Sequence, residues 1–222
     1  KVNNDYKDYL GTGKEVHTQD QIHALMFRYL YRVYDNWFTG LQGVRANYNI
    51  DGETQVDDEF LSAAGLVGFK SGALGVSVYH DSRDNEFSPK RGWVLQMGNM
   101  AHRDWMAGDA NYDTYMVNWR GYHEHGDGNV VAARWFNMFT VDAPLTGGAK
   151  IVQRGYKIGQ YIGQDMSMIE VEERYKFAKT WTATLFGGYG CLYGGSKSCS
   201  NEENRFPNWG GGIQYILKPK EG

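Results

Sequence analysis

Few side chains in this sequence stand where they could do chemistry. Arg154 lies in the middle of a long connector, in the run Val-Gln-Arg-Gly-Tyr over Val152–Tyr156. A guanidinium presents five donors in a planar fork and suits bidentate pairing with a carboxylate. Gly155 lets the backbone reverse beside it, and Tyr156 offers a ring that packs and a hydroxyl that needs a partner. The simpler reading is a solvated loop arginine, the default for such a residue. A second cluster is Asp81, Ser82, Arg83, Asp84 and Asn85, followed by Pro89 and Gly92. Its Asp and Asn can bond their own backbone, Pro89 sets φ, and Gly92 allows an unusual dihedral, so an ordinary well-built turn accounts for much of it. Cys191 and Cys199 are the entire cysteine content; they are too few and too isolated from His for a zinc site. Six His offer no metal spacing beyond His123-x-His125, where solvation is the simpler reading. Nucleophile-elbow, phosphate-loop and zinc-protease motifs are missing, and no carboxylates form a convincing catalytic pair. The expectation is a protein that is not an enzyme and uses no cofactor or metal.

The elements that must position these residues announce themselves by alternation. In Ile22–Tyr34, one parity reads His23, Leu25, Phe27, Tyr29, Tyr31, Val33, and the other carries Arg28 and Arg32. A strand sends alternate side chains to opposite faces, so one face is apolar and the other holds guanidiniums. Asn111–Tyr122, Gln164–Phe177, Thr180–Gly190 and Phe206–Leu217 repeat the pattern. Glu170 and Glu172 fall on the polar parity of the third of these segments, although Glu173 interrupts its apolar parity. Less regular runs lie at Phe38–Tyr48, Leu66–His80, Trp93–Met100 and Val130–Val141. Tyr6–Leu10 reads as the tail of one further strand, and the terminal Leu-Lys-Pro-Lys-Glu-Gly as a short turn leading into another.

Connector lengths alternate as well. Tyr34–Trp37, Glu124–Asn129 and Lys179 are short; Ile50–Gly65, Ala101–Ala110, Asp142–Gly163 and Cys191–Arg205 are long. Long strands with short turns at one end and long loops at the other are the signature of an outer-membrane barrel. A soluble sandwich also alternates, but its small dry core could not hold so many Arg, Glu and Gln side chains. The chain has 222 residues, 15% of them aromatic, with 29 Gly and 4 Pro, a mix that favours strands and tight turns. No stretch approaches the roughly 20 apolar residues of a membrane helix. A net charge of −3 offers no basic field for nucleic acid. The first residue is Lys1 rather than Met, which reads as a processed or trimmed start. On the exported, oxidising side of a membrane, Cys191 and Cys199 are expected to form a disulfide stapling one outer loop.

Two segments go beyond pattern. The turn Asp81-Ser82-Arg83-Asp84-Asn85…Pro89…Gly92, followed in order by the loop tip Arg154-Gly155-Tyr156, resembles the BamA/TamA superfamily of outer-membrane β-barrels, also called the bacterial surface antigen family. The stretch Phe136–Tyr156, with its Ala-Pro-Leu-Thr-Gly-Gly approach, is similar too. The resemblance covers the chain from Leu66 onward. It implies an all-β, transmembrane, antiparallel up-and-down barrel and a loop folded back into the lumen and pinned by Arg154. The parity of the alternation, not the resemblance, offers Glu170 or Glu172 as the partner, failing which the lock is weaker here. Relatives place an Asp on the following strand, in an aromatic-x-Asp-x-Gly pattern. This chain instead reads Phe186-Gly187-Gly188-Tyr189-Gly190, so the usual ion pair is altered.

The resemblance further implies a bacterial outer-membrane location, contact with outer-membrane lipid and lipopolysaccharide, and help for client proteins inserting into or crossing that membrane. Residues 1–222 are expected to form a single barrel domain that lacks some terminal strands of the full barrel, with no POTRA domain in view. The alternatives are a passive pore or structural barrel, or the membrane anchor of an upstream domain.

Overall fold

The computed structural model describes residues 2–66 and 68–215. Its strands, in chain order, are β1 (Val2–Tyr6), β2 (Val16–Tyr34), β3 (Trp37–Gly52), β4 (Phe69–Asp81), β5 (Gly92–His102), β6 (Tyr112–His125), β7 (Asn129–Val141), β8 (Ala149–Lys150), β9 (Ile162–Gly163), β10 (Asp165–Lys176), β11 (Trp181–Tyr193) and β12 (Arg205–Tyr215). Ten of them form one antiparallel sheet in the order β1-β2-β3-β4-β5-β6-β7-β10-β11-β12, while β8 and β9 pair with each other inside the loop between β7 and β10. The fold is therefore all-β and up-and-down, and among the described residues β1 and β12 are not paired with each other.

Alternation explains the exposed face. Cross-strand partners share a face, and the register sets Tyr29 opposite Leu41 and Leu41 opposite Val76. It likewise sets Val78 opposite Met97 and Met97 opposite Val117. Tyr29, Leu41, Val76 and Met97 are all exposed, as are Ile169, Leu185, Trp209 and Ile213 on the later strands. A continuous apolar surface of this kind has no place in water. Short connections lie at one end, including the β6–β7 turn with Gly126 and Gly128 at positive φ. Long loops occupy the other end.

Three local differences from the sequence reading stand out. The first strand ends at Tyr6, and Tyr9 and Leu10, the end of the expected Tyr6–Leu10 tail, belong to a 3-10 turn over Tyr9–Gly11. The connector after β3 contains a helix, α1 (Gln55–Ala63), whose Thr54 side chain accepts the Asp57 N–H and so caps the first turn. The inner face, expected to be polar throughout, is apolar in its loop-end half, where Val44, Ile50, Phe69 and Met138 face the loop. That half is not wetted because the loop between β7 and β10 folds over it. Ile151 of this loop packs with Phe136, Met166 and Leu192, and Ile162 packs with Tyr6, Val16 and Leu61. Each such burial contributes about 1.5–3 kcal/mol. The expected terminal turn at 217–222 lies outside the described residues.

Candidate functional site: a loop pinned to the inner wall

The wall beneath the loop is one row of residues in register. Arg120 faces Arg134, Arg134 faces Glu170, Glu170 faces Gly188, and Gly188 faces Asn208, across five strands. The next inward row sets Glu172 opposite Phe186 and Phe186 opposite Gly210. Two carboxylates two residues apart on β10 therefore point the same way, as their parity predicts. Both are buried, at 6% exposure for Glu170 and 7% for Glu172.

Arg154 reaches them from the loop. Its Nη2 lies 2.7 Å from Glu170 Oε1 and 2.6 Å from Glu172 Oε2. One guanidinium nitrogen thus bridges two carboxylates, rather than the fork closing on a single one. The reason is geometric: neither carboxylate can turn both oxygens to Arg154, because each has a second partner. Glu172 Oε1 accepts from Arg174 Nε at 2.6 Å, and Glu170 Oε2 accepts from Asn208 Nδ2 at 3.0 Å. The Arg154 guanidinium also sits 4.1 Å from the centre of the Phe186 ring, the aromatic that opens the altered Phe-Gly-Gly-Tyr-Gly segment.

Neutral contacts extend the attachment. Asn208 Nδ2 also donates to the Arg154 carbonyl at 3.1 Å, and Gln153 Nε2 donates to Asn208 Oδ1. Tyr156 donates its hydroxyl to the Pro207 carbonyl at 2.7 Å, and its ring meets Phe206 edge-on at 5.5 Å. Gly155 adopts φ +89°, a conformation that reverses the loop at its tip. Burial holds the Tyr156 hydroxyl above its usual pKa.

Gln153, Phe186 and Asn208 were absent from the sequence-derived candidates. The glycines of β11 were the available signal, since a glycine inside a strand often marks a close approach. A Cβ on Gly188 would stand 2.5 Å from Asn208 Oδ1, and one on Gly190 would stand 2.4 Å from Gln153 Oε1. Gly188 is the gap through which Asn208 reaches Glu170 from two strands away.

The structure does not bring the turn cluster to this site; it lies between β4 and β5 at the opposite end of the sheet. Asp81 accepts from Arg83 Nε at 2.9 Å and Nη2 at 2.6 Å, and from the Tyr79 hydroxyl at 2.9 Å. Asp84 Oδ1 accepts the Lys90 and Arg91 N–H groups at 2.9 and 3.1 Å. Asn85 Oδ1 accepts those of Phe87 and Ser88, both at 2.8 Å. Pro89 is buried, and Gly92, at φ +92°, lies so close to Ser82 that a Cβ would be 2.2 Å from its carbonyl oxygen. These residues build a turn. Cys191 and Cys199 are joined as a disulfide across the base of the β11–β12 loop, with Cα atoms 5.6 Å apart. Among the described residues no cluster of His, Cys, Asp and Glu could hold a metal ion.

No protein-family model matches this chain, and no curated protein matches it in sequence. In fold, the chain is similar to a solved structure, BamA from Haemophilus ducreyi lacking POTRA domains 1–3. The two superpose with a TM-score of 0.62 at 10% identity, over 96% of this chain and 51% of that one. The chain therefore has the fold of a BamA-type barrel wall, and spans about half the length of that structure.

Proposed function

We propose that this protein resides in a bacterial outer membrane and assists other proteins in inserting into, or crossing, that membrane. The carrying observation is the attachment of the loop to the inner wall, with Arg154 between Glu170 and Glu172 and over Phe186. A loop held in this way braces the wall from inside and couples β10, β11 and β12 to one another. The exposed apolar face suits acyl chains, and the polar rims suit lipid and lipopolysaccharide headgroups. Such a role needs no nucleotide, metal or catalytic side chain. It would be performed by a pliable sheet, local thinning of the bilayer and the braced loop. A passive pore fits less well, because Ile151 and Ile162 of the loop fill part of the inner side instead of leaving it open.

The test uses the native protein extracted from membranes and reconstituted into vesicles. Folding of a small client barrel should be faster with the wild-type protein than in empty vesicles, and slower again with Arg154→Ala. If the wild type gives no acceleration, the assembly role is wrong and a structural barrel remains.

A further inference from the structure

Between the loop and the wall of β2–β7 lies a second feature, a cavity of about 480 Å³. That volume is in the range of small-molecule pockets, which are mostly apolar with a few convergent polar groups. Its walls are aliphatic and aromatic: Val44, Ile50, Phe69, Met100, Phe136 and Met138 contribute from successive strands. Such a lining is out of place on the inner side of a barrel, where a polar surface is the norm.

One cation enters it. Lys150, in β8, lines the cavity and is partly buried. Among the described residues its ammonium makes no hydrogen bond and no ion pair, while its backbone lies in the β8–β9 ladder opposite Ile162. The one carboxylate that also lines the cavity is Asp20, which makes no direct ion pair with Lys150 and is turned to Asn4 Nδ2, on Oδ2 at 2.7 Å, and Thr18 Oγ1, on Oδ1 at 2.8 Å. Elsewhere in the lining Ser71 Oγ and His102 Nδ1 lie 2.7 Å apart, and the His102 ring stacks on Tyr112 at 4.0 Å. Burial pushes the Lys150 ammonium down and Asp20 partly restores it. A partly buried ammonium with one carboxylate in the same lining but no direct ion pair gains from a second anion that contacts it.

We propose that this cavity binds a single-chain amphiphile with an anionic head, of the fatty-acid class, with its carboxylate on Lys150 and its chain along the apolar wall. The volume favours one acyl chain over a two-chain phospholipid. Arg154, Glu170 and Glu172 are not among the residues that line it, so the proposal does not depend on the assembly role.

The test uses the full chain in amphipol, with an intrinsically fluorescent polyene fatty acid as probe and empty amphipol as background. Saturable binding is expected, with the methyl ester of the same acid binding about tenfold or more weakly, because a charge-assisted hydrogen bond is lost. Lys150→Met should weaken the acid to the level of the ester, and Lys150→Arg should restore it. Equal binding of acid and ester, or no saturable binding, overturns the proposal. If Lys150→Met fails to fold, the comparison of acid with ester on the wild type decides alone. Displacement of the probe by dispersed phosphatidylglycerol as readily as by oleate overturns the single-chain assignment.

Discussion

Tyr156 and Lys157, neighbours in the loop, are tied to opposite ends of the sheet order. Tyr156 donates its hydroxyl to the Pro207 carbonyl on β12, while Lys157 donates its ammonium to the Asp5 carbonyl on β1. Leu10 N–H adds a bond to the Gln160 carbonyl at 2.9 Å, and Tyr161 reaches Asp8 Oδ2 at 3.2 Å. The loop thus satisfies main-chain groups on both terminal strands of the sheet, which share no ladder with each other among the described residues. Tyr156→Phe removes the β12 tie and keeps the ring. It should cost about 0.5–1.5 kcal/mol and speed amide hydrogen exchange on β12 more than on β5. Equal exchange on both strands would refute the tie.

Arg154→Ala leaves two buried carboxylates short of a partner. The loss should be about 1–3 kcal/mol, the lower end reflecting the half-exposed guanidinium. On gels the folded form should convert to the unfolded form at a lower temperature. Arg154→Lys should recover part of the loss, since an ammonium keeps the charge but stacks less well on Phe186. An unchanged transition temperature in the alanine variant would sink the pinned loop.

Gly187 and Gly188 are adjacent but face opposite ways, which gives a matched pair. A Cβ on Gly187 would find only the Asn208 carbonyl, at 3.9 Å, whereas one on Gly188 would meet the Ile169 carbonyl at 2.8 Å and Asn208 Oδ1 at 2.5 Å. Gly188→Ala should therefore lower folded yield and Gly187→Ala should not. Equal yields would mean that the β11 gap is unimportant to the attachment.

Cys191 and Cys199, eight residues apart, should take no thiol label until reduced. Reduction should destabilise the chain by about 2–3 kcal/mol, the entropy released by opening so short a ring. Labelling of the untreated protein would rule the staple out.

The turn at the other end carries a pH signature. Burial alone would raise the Asp84 carboxyl, but the N–H groups of Lys90 and Arg91, with those of Asn85 and Asp84, outweigh it and hold the pKa below its ordinary 3.8. A carboxyl depressed by folding stabilises the turn above pH 3.8 and loses that contribution as pH falls through the lower folded value. Acid proteolysis should therefore cut between Asp81 and Gly92 increasingly below about pH 4, and Asp84→Asn should flatten the dependence. A wild-type profile as flat as the variant's would contradict it.

Much of this was legible because it is local or periodic. The alternation in Ile22–Tyr34 survives as β2, and the parity of Glu170 and Glu172 places both beneath Arg154. The turn was legible because Asp84 and Asn85 bond their own backbone. Asn208 and Gln153 were not, since an uncharged amide gives no sign of its partner and theirs depends on the register of three strands. Parity also assigns faces without saying what covers them, which hid the apolar inner half and Lys150. The helix at Gln55–Ala63 went unread because its 9 residues make only about two and a half turns, short of the window of about 11 residues that a period of 3.6 needs to show itself.

Gln153 and Gly190 occupy a single volume. A side chain on the strand would have to sit where the Gln153 amide oxygen now lies. Through descent, then, the two positions are not free to drift apart. A relative that gains bulk at the Gly190 position should carry a shorter residue at the Gln153 position, because bulk there alone would push the Gln153 amide off Asn208. Swapping the loop between two such relatives should keep the Gln153 bond to Asn208 only where that pair travels together.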